Sequence, residues 1–349
     1  MAIIAVLGTF DSKGEEHAFV AERIRARGHR VLLIDVGTGG PPTIVPHFTS
    51  EQVAASAGIN LAEVLARHDR GECVVAMSQA APAFLAKLAA VHDIDGVISL
   101  GGGGGTAIAT AAMRALPLGF PKLMVSTLAA GNTAPYLGTK DIVMMPSIAD
   151  VAGLNRLSRL IFSRAAGAIC GMVEAEIEKD GARPLVVASM FGNTTACVTE
   201  AKRIIEEAGY EVLVFAATGA GGKSMEALIE SGLVAGVLDL TTTEWADELV
   251  GGVLNAGPER MDAAANAKIP AVIAPGCIDM VNFGERDSIP AKFADRNFYI
   301  HNPQVTLMRT TPGECAELGR IIADKVNRSE APAAIMIPKK AISVISAAG

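Results

Sequence analysis

Little in this chain could stack on a nucleobase: one Trp, three Tyr and 11 Phe make aromatics only 4% of 349 residues. That scarcity argues against a single-stranded nucleic-acid platform, which needs successive aromatic faces. Positive charge is also short, with a formal net charge of -7 and a pI near 5.5, which disfavours binding to a phosphate backbone as the main activity. Nucleic acid is therefore not an expected partner. The five cysteines, Cys73, Cys170, Cys197, Cys277 and Cys315, include no C-x-x-C pair or other zinc spacing, and an odd, scattered set fits reduced thiols. No metal site of the protein's own is expected. No uninterrupted apolar segment is long enough to span a bilayer, and MAIIAVLGTF lacks a basic flank, so it reads as a first strand and not a signal peptide. A cytoplasmic protein with no membrane partner is the expectation. Gly-x-Ser-x-Gly, H-E-x-x-H and a Cys/His nucleophile pair are all missing, so no reaction is disclosed.

Glycine, by contrast, is abundant. Residues 96 to 106 read GVISLGGGGGT, an apolar run followed by Gly101, Gly102, Gly103, Gly104 and Gly105, then Thr106 and the helix-forming stretch AIATAAMRAL. Glycine lets backbone approach a bulky anion and take positive φ, and a helix start offers unpaired N–H groups at the positive end of its dipole. The plain alternative is a flexible turn. Position favours the anion, because loops leaving the carboxyl end of buried strands are where open α/β sheets bind ligands.

The chain repeats itself. Residues 3 to 40 align without a gap on 184 to 221, with Phe10 on Phe191, Gly28 on Gly209 and Val31 on Val212. GVISLGGGGGTAIA at 96 resembles GVLDLTTTEWADEL at 236, and FPKLMVST at 120 resembles IPAVIAPG at 269. Each half reads as strands alternating with helices. The expected fold is α/β, with two duplicated Rossmann-like domains, each holding a mostly parallel sheet flanked by helices. The halves are 1–180 and 181–349, with the boundary in the charged, Gly/Pro-containing stretch 177–184. A helix over 147–173 packs on its own domain or, through its small residues, bridges domains or subunits in a homo-oligomer. The stretch APAAIMIPKKAISVI reads as a last strand.

Three loops of the first half gather the nucleotide candidates. Thr9, Asp11 and Lys13 lie in the loop after the first strand, where Ser12 and Glu15 have capping-box spacing and a lysine opposes the helix dipole unless an anion is near. Asp35 ends the second strand, where an acid can accept from ribose hydroxyls, although the first loop lacks G-x-G-x-x-G and so disfavours NAD. Ser126, Thr127, Gly131 and Asn132 supply donors and acceptors after the strand KLMVST; a self-capped Asx turn is the alternative. In the second half, residues 217–224 (ATGAGGKS) fit a relaxed P-loop with alanine at its first position, and Asp239 is its magnesium candidate. Glu244, Asp247 and Glu248 open a helix, as dipole partners or as ligand groups. Asp279, Asn282, His301, Asn302, Gln304 and Arg309 lie in a long irregular stretch of the kind that lines clefts, and His301 is the acid/base candidate among six histidines.

TFDSKGEE, LGGGGGTA, MVSTLAAGNTAPYLGTKDIVMM, IADVAGLNRLSR, TTTEWADELVGGV and HNPQVTLMRT together resemble the bacterial and plant family of Tm-one-like ATP-binding domains, over nearly the whole chain. The resemblance implies paired Rossmann-like domains with ATP in the N-terminal one. It also implies a link to a barrel domain, which follows this region in the plant member, so a separate barrel protein is an expected partner. The resemblance also implies that family members continue somewhat beyond a segment like KKAISVIS, so a short or altered C-terminus is the expectation here. Three readings follow. In the first, an enzyme acts on a small-molecule acid in an interdomain cleft, with Mg²⁺ screening the ATP phosphates; the second-ligand groups are Glu244, Asp247, Asp279, Asn282, His301 and Arg309. The second is a non-catalytic, nucleotide-regulated interaction module, and the third a dinucleotide-dependent oxidoreductase.

Overall fold

The computed structural model describes residues 1–176 and 183–348, so most of the boundary stretch 177–184 lies outside the described residues. The chain divides into two compact units, Met1–Glu178 and Lys179–Gly349.

Unit 1 runs β1 (Ile3–Gly8), α1 (Phe10–Arg25), β2 (Arg30–Asp35), α2 (Ser50–Ser56), α3 (Leu61–Leu65), α4 (Arg70–Ala90), β3 (Gly96–Gly101), α5 (Gly103–Arg114), β4 (Lys122–Ser126), α6 (Ala134–Leu137), β5 (Val143–Pro146) and α7 (Arg156–Glu174). Its five strands are all parallel, in the order β2-β1-β3-β4-β5. The central strands IIAVLG and GVISLG are continuous apolar runs because helices cover both faces. Alternate residues serve opposite cores. Ala5, Leu7 and Val97 join Met77, Ala81 and Ile108 from α4 and α5, while Ile4, Val6 and Ile98 join Val20, Phe162 and Ala166 from α1 and α7. In this order the chain winds away in opposite senses from β1 and from β3, which makes their carboxyl ends the switch point where such sheets form a crevice.

Unit 2 runs β6 (Leu185–Met190), α8 (Thr195–Glu207), β7 (Glu211–Ala216), α9 (Ala220–Glu230), β8 (Val234–Thr241), α10 (Thr243–Val250), α11 (Ala263–Asn266), β9 (Ala271–Gly276), β10 (Met280–Phe283), β11 (Phe298–Asn302), β12 (Val305–Arg309), α12 (Pro312–Asn327), β13 (Ala333–Ile335) and α13 (Val344–Ala348). Its main sheet, β13-β9-β8-β6-β7, is again parallel and repeats the winding of unit 1, with its first strand between its second and third. The duplicated Rossmann-like α/β architecture expected from the repeat is the fold.

Several local expectations are corrected. The stretch 275–309 is not an irregular loop: it carries an antiparallel sheet, β10-β12-β11, whose short alternating strands were hidden between Pro and Gly. The final strand is only Ala333–Ile335, and the chain then turns into α13. The helix expected from 147 begins at Arg156, where Asn155 accepts from the N–H groups of Leu157 and Ser158 at 3.0 Å each. It packs on α1 and β3 of its own unit. One helix among the described residues, α4, is long and apolar enough to cross a membrane by length and composition. Its Met77, Ala80, Ala81, Leu85 and Leu88 instead fill the unit 1 core.

Candidate functional site

A cavity of about 900 Å³ opens at the carboxyl ends of β1 and β3 in unit 1. Thr9, Asp11, Lys13, Gly102, Gly103, Gly104, Gly105 and Thr127 line it. Thus members of the first loop, the glycine run and the loop after β4 share one wall system, at the switch point.

The glycine run is less of a loop than the sequence suggests. Gly101 ends β3, Gly102 is the N-cap, and Gly103–Gly105 form the first turn of α5. None of the five takes positive φ. Glycine is needed here for closeness: a Cβ on Gly101 would lie 3.2 Å from the Gly105 Cα, and one on Gly104 3.3 Å from the Val74 Cγ2. A Cβ on Gly103 would meet nothing within 4 Å. Thr106 N–H donates to the Gly102 carbonyl at 2.8 Å. The N–H groups of the turn before it have no side-chain cap among the described residues, and a helix start leaves such groups without intrahelical partners. Donors arranged in this way can receive an anion.

Below this turn, Thr106 and Ser126 are fully buried and joined Oγ1 to Oγ at 2.7 Å. They tie the first turns of α5 to the end of β4 and do not line the cavity, nor does Gly101. Asp35 is corrected as well. Its Oδ1 accepts from the N–H groups of Phe10 and Gly37, both at 2.9 Å, so it fixes the start of α1 and the loop after β2 and has no face on the cavity. Burial pushes its carboxyl above the usual range. Gly131 and Asn132 also stand outside, and the Asn132 Oδ1 accepts from the Ala134 N–H at 3.2 Å in the Asx-turn alternative.

In the first loop Thr9 is the N-cap of α1, but no side chain caps the helix and the Ser12/Glu15 box does not form; Ser12 Oγ donates to Thr9 Oγ1 at 3.2 Å. Lys13 leaves helical geometry (φ -136°, ψ 27°), and its Nζ donates to the Val151 carbonyl. That bend frees the Lys13 carbonyl for the buried His17, whose Nδ1 lies 2.6 Å away, while the His17 Nε2 accepts from the Leu100 N–H at 3.4 Å. Burial lowers the His17 pKa to about 4. The neutral ring thus links the first loop to the strand that carries the glycines. Asp11 Oδ2 accepts from the Gly39 N–H at 2.5 Å.

The remaining wall came from segments without a motif. His68, Asp69, Arg70 and Val74, at the start of α4, face the cavity, as do Thr38, Ile148 and Asp150. Asp69 caps α4 through the Glu72 N–H at 2.9 Å. The neighbouring ion pair joins Arg67 to Glu72 at 3.0 Å, leaving Arg70 without one among the described residues. Ile148 holds φ +64° while 77% exposed, a conformation that costs a β-branched residue of order 1–3 kcal/mol and tends to occur at ligand sites. An arginine in the first turn of a helix, against the dipole, is the signal that could have drawn attention here, by the reasoning applied to Lys13.

The second-half candidates are not gathered at a comparable opening. Glu244 is fully enclosed: its Oε1 accepts from the N–H groups of Gly219 (2.6 Å) and Gly222 (3.1 Å), and its Oε2 from the Arg260 Nε (2.7 Å). A carboxylate of the protein therefore fills the P-loop-like segment, and a Cβ on Gly222 would lie 2.2 Å from it. Asp239, read as a magnesium candidate, is bidentate with Arg260 at 2.6 and 2.7 Å and accepts from Ser189. Asp247 accepts from the N–H groups of Asn282 (2.7 Å) and Leu254 (2.8 Å), and burial raises its pKa to about 7. Asp279 takes Arg309 and Ser343, each at 2.8 Å. His301, Asn302 and Gln304 are exposed on and beside β11. Glu244, Asp247, Asp279 and Asn282 are thus corrected from ligand groups to members of buried internal networks, and Arg309, partly exposed, is committed to Asp279. Among the described residues no group of three or more His, Cys, Asp or Glu is placed to hold a metal ion.

Strand order and cavity together define a class: a tandem of two doubly wound α/β units, the first with an uncapped helix start opening into a crevice at its switch point. Within that class the chain belongs to the UPF0261 family. Residues 2–178 match the "Uncharacterised protein family (UPF0261) N-terminal domain" and residues 183–349 the corresponding C-terminal domain. A UPF0261 protein of Clostridium tetani is 50% identical over 347 residues, 99% of this chain and 86% of the relative. The ToMV susceptible protein tm-1(GCR26) of Solanum lycopersicum is 38% identical over 367 residues, covering 98% of this chain and 48% of that protein. The ToMV resistance protein Tm-1(GCR237) is 38% identical over 371 residues with the same coverage. The resemblance carried by TFDSKGEE and LGGGGGTA is therefore a family relationship, and the chain spans about half the length of the tomato proteins. Among solved structures, MurG of Acinetobacter baumannii is 11% identical over 100% of this chain and 89% of its own, with a TM-score of 0.25. UDP-GlcNAc 2-epimerase of Methanocaldococcus jannaschii, in complex with UDP-GlcNAc and UDP, is 10% identical over 78% and 83%, also at 0.25.

Proposed function

We propose that this chain binds ATP, or a closely related nucleoside polyphosphate, in the unit 1 cavity. The observation that carries the reading is the first turn of α5: backbone N–H groups at Gly103–Gly105 open into the cavity with no Cβ in front of them. A negative group there would gain hydrogen bonds and the positive end of the helix dipole together. Lys13 and Arg70 line it as well and add cationic groups. The cavity also suits the size, since about 900 Å³ is within the range of small-molecule sites. Asp11, Asp69 and Asp150 share the walls, so a Mg²⁺ carried in with the phosphates would reduce the repulsion between them and the ligand.

Calorimetric titration of ATP into wild type and Gly103→Val tests this directly. A side chain at Gly103 has open space around it, so the variant folds and places its bulk where the phosphates would sit. ATP affinity is expected to fall by at least about tenfold, one to two lost charge-assisted hydrogen bonds. Undiminished binding in the variant would overturn the placement. Titration with NAD in parallel decides against the oxidoreductase reading if NAD binds no better than ATP. Turnover measured across a panel of small carboxylates separates an enzyme from a nucleotide-regulated module.

A further inference from the structure

The two units answer one geometric problem in opposite ways, and the difference points to Arg70. Aligning GVISLGGGGGTAIA with GVLDLTTTEWADEL puts Gly104 where unit 2 has Glu244. Both residues stand in the first turn of the helix that follows the third strand of their sheet, α5 and α10. In unit 2 that position carries a buried carboxylate, held by two backbone N–H groups and by a guanidinium through the Arg260 Nε at 2.7 Å. In unit 1 the same position has no side chain, and the turn opens into the cavity. Unit 2 thus closes its crevice with a side chain of its own, a carboxylate that reaches from α10 to the loop after β7, where unit 1 has only glycine.

Arg70 is placed to act on such an anion. It is the first residue of α4, and Val74, one turn further on, is the residue whose Cγ2 stands 3.3 Å from the missing Gly104 Cβ. Residues four apart share a helix face. Arg70 therefore stands on the face of α4 that meets the glycine turn, one helical turn before Val74, and it lines the same cavity as Gly102–Gly105. It lines the cavity and has no ion pair among the described residues, and at the first turn of α4 it opposes the dipole. Lys13, by contrast, already donates to the Val151 carbonyl.

We infer that Arg70 is the specificity-determining residue of the cavity: its guanidinium takes the outermost phosphate of the ligand, so that the site favours nucleoside triphosphates over monophosphates. This rests on the nucleotide reading above. Planar, bidentate pairing with phosphate oxygens is the recognition that arginine supplies and lysine does not.

The test is calorimetric titration of Mg-ATP, Mg-ADP and AMP into wild type, Arg70→Gln and Arg70→Lys, with far-ultraviolet circular dichroism as the folding control. Arg70 is exposed, so both variants fold. Wild type is expected to bind ATP more tightly than AMP. Arg70→Gln is expected to lose about tenfold or more in ATP affinity with AMP unchanged, and Arg70→Lys to recover part of the loss. An ATP-to-AMP preference that survives in Arg70→Gln, or an equal loss for all three nucleotides, overturns the role of Arg70 while leaving nucleotide binding in place. Wild type that binds none of the three overturns the nucleotide reading and this inference with it.

Discussion

At the scale of single residues, His17 shows how unit 1 couples two of the segments that line its cavity. The ring is fully buried and tight against β1, since a Cβ on Gly8 would lie 2.0 Å from its Nε2. The Lys13 carbonyl needs a donor at Nδ1 and the Leu100 N–H needs an acceptor at Nε2, so only the neutral tautomer protonated at Nδ1 satisfies both. Desolvation holds its pKa at about 4, against 6.5 for a free histidine. Between those values the unfolded chain takes up a proton that the folded one refuses, so the contribution to stability is intact above about pH 6.5 and is lost progressively as pH falls to about 4. The loss reaches ~3 kcal/mol. Denaturant titrations of wild type and His17→Gln from pH 7 to pH 4 check this: wild type should lose stability more steeply than the variant, and parallel curves would refute the assignment. The residue was not legible as important, because it sits mid-helix with no motif about it. His301, which an irregular stretch seemed to recommend, is exposed on β11.

At the scale of elements, the instructive pair is α5 and α10. Three glycines in the first turn of α5 forgo helix propensity, each by roughly 0.8–1 kcal/mol relative to alanine, in a turn where two of them, Gly103 and Gly105, would meet nothing closer than 3.8 Å on gaining a Cβ. Gly103→Ala should therefore raise stability by about 0.5–1 kcal/mol while weakening ATP binding. Gly101→Ala should lower stability, since its Cβ would press on Gly105 at 3.2 Å. Thermal melts paired with titrations read both, and a Gly103→Ala that binds ATP more tightly would contradict the proposed placement. In α10 the first-turn acid has a structural role instead. Arg260 is 1% exposed and pairs Asp239, Glu244 and Glu226 at 2.6 to 3.0 Å. Arg260→Met should cost unit 2 ~3–5 kcal/mol by stranding buried carboxylates, with partial relief toward acidic pH as they protonate. That the glycine run lines the unit 1 cavity was legible from the sequence, because a run of residues without side chains between an apolar strand and a helix marks a close backbone approach at a strand's carboxyl end. The capture of Glu244 by residues 219–222 and Arg260 was not. It depends on a side chain 22 residues away from Gly222, and an acid in a first turn looks the same in sequence whether it faces a ligand or its own loop.

At the scale of the whole molecule, the repeat of 3–40 in 184–221 foretold two parallel sheets with the same winding, and both have it. What it could not foretell was asymmetry of use. Unit 2 inserts the antiparallel β10-β12-β11 sheet and closes its polar groups on one another, whereas unit 1 keeps an open crevice. Each unit has its own apolar clusters, so heating the full chain should give two calorimetric transitions. A ligand that binds only folded unit 1 should raise only one of them. At ~100 times its Kd, ATP should stabilise that unit by ~2.7 kcal/mol, a shift of about 5–10 °C for a unit of this size. Arg260→Met supplies the assignment, since it should lower the transition that ATP leaves unmoved. If ATP raised the same transition that Arg260→Met lowers, the nucleotide would belong to unit 2, and the division of labour between an open and a self-filled copy would be reversed.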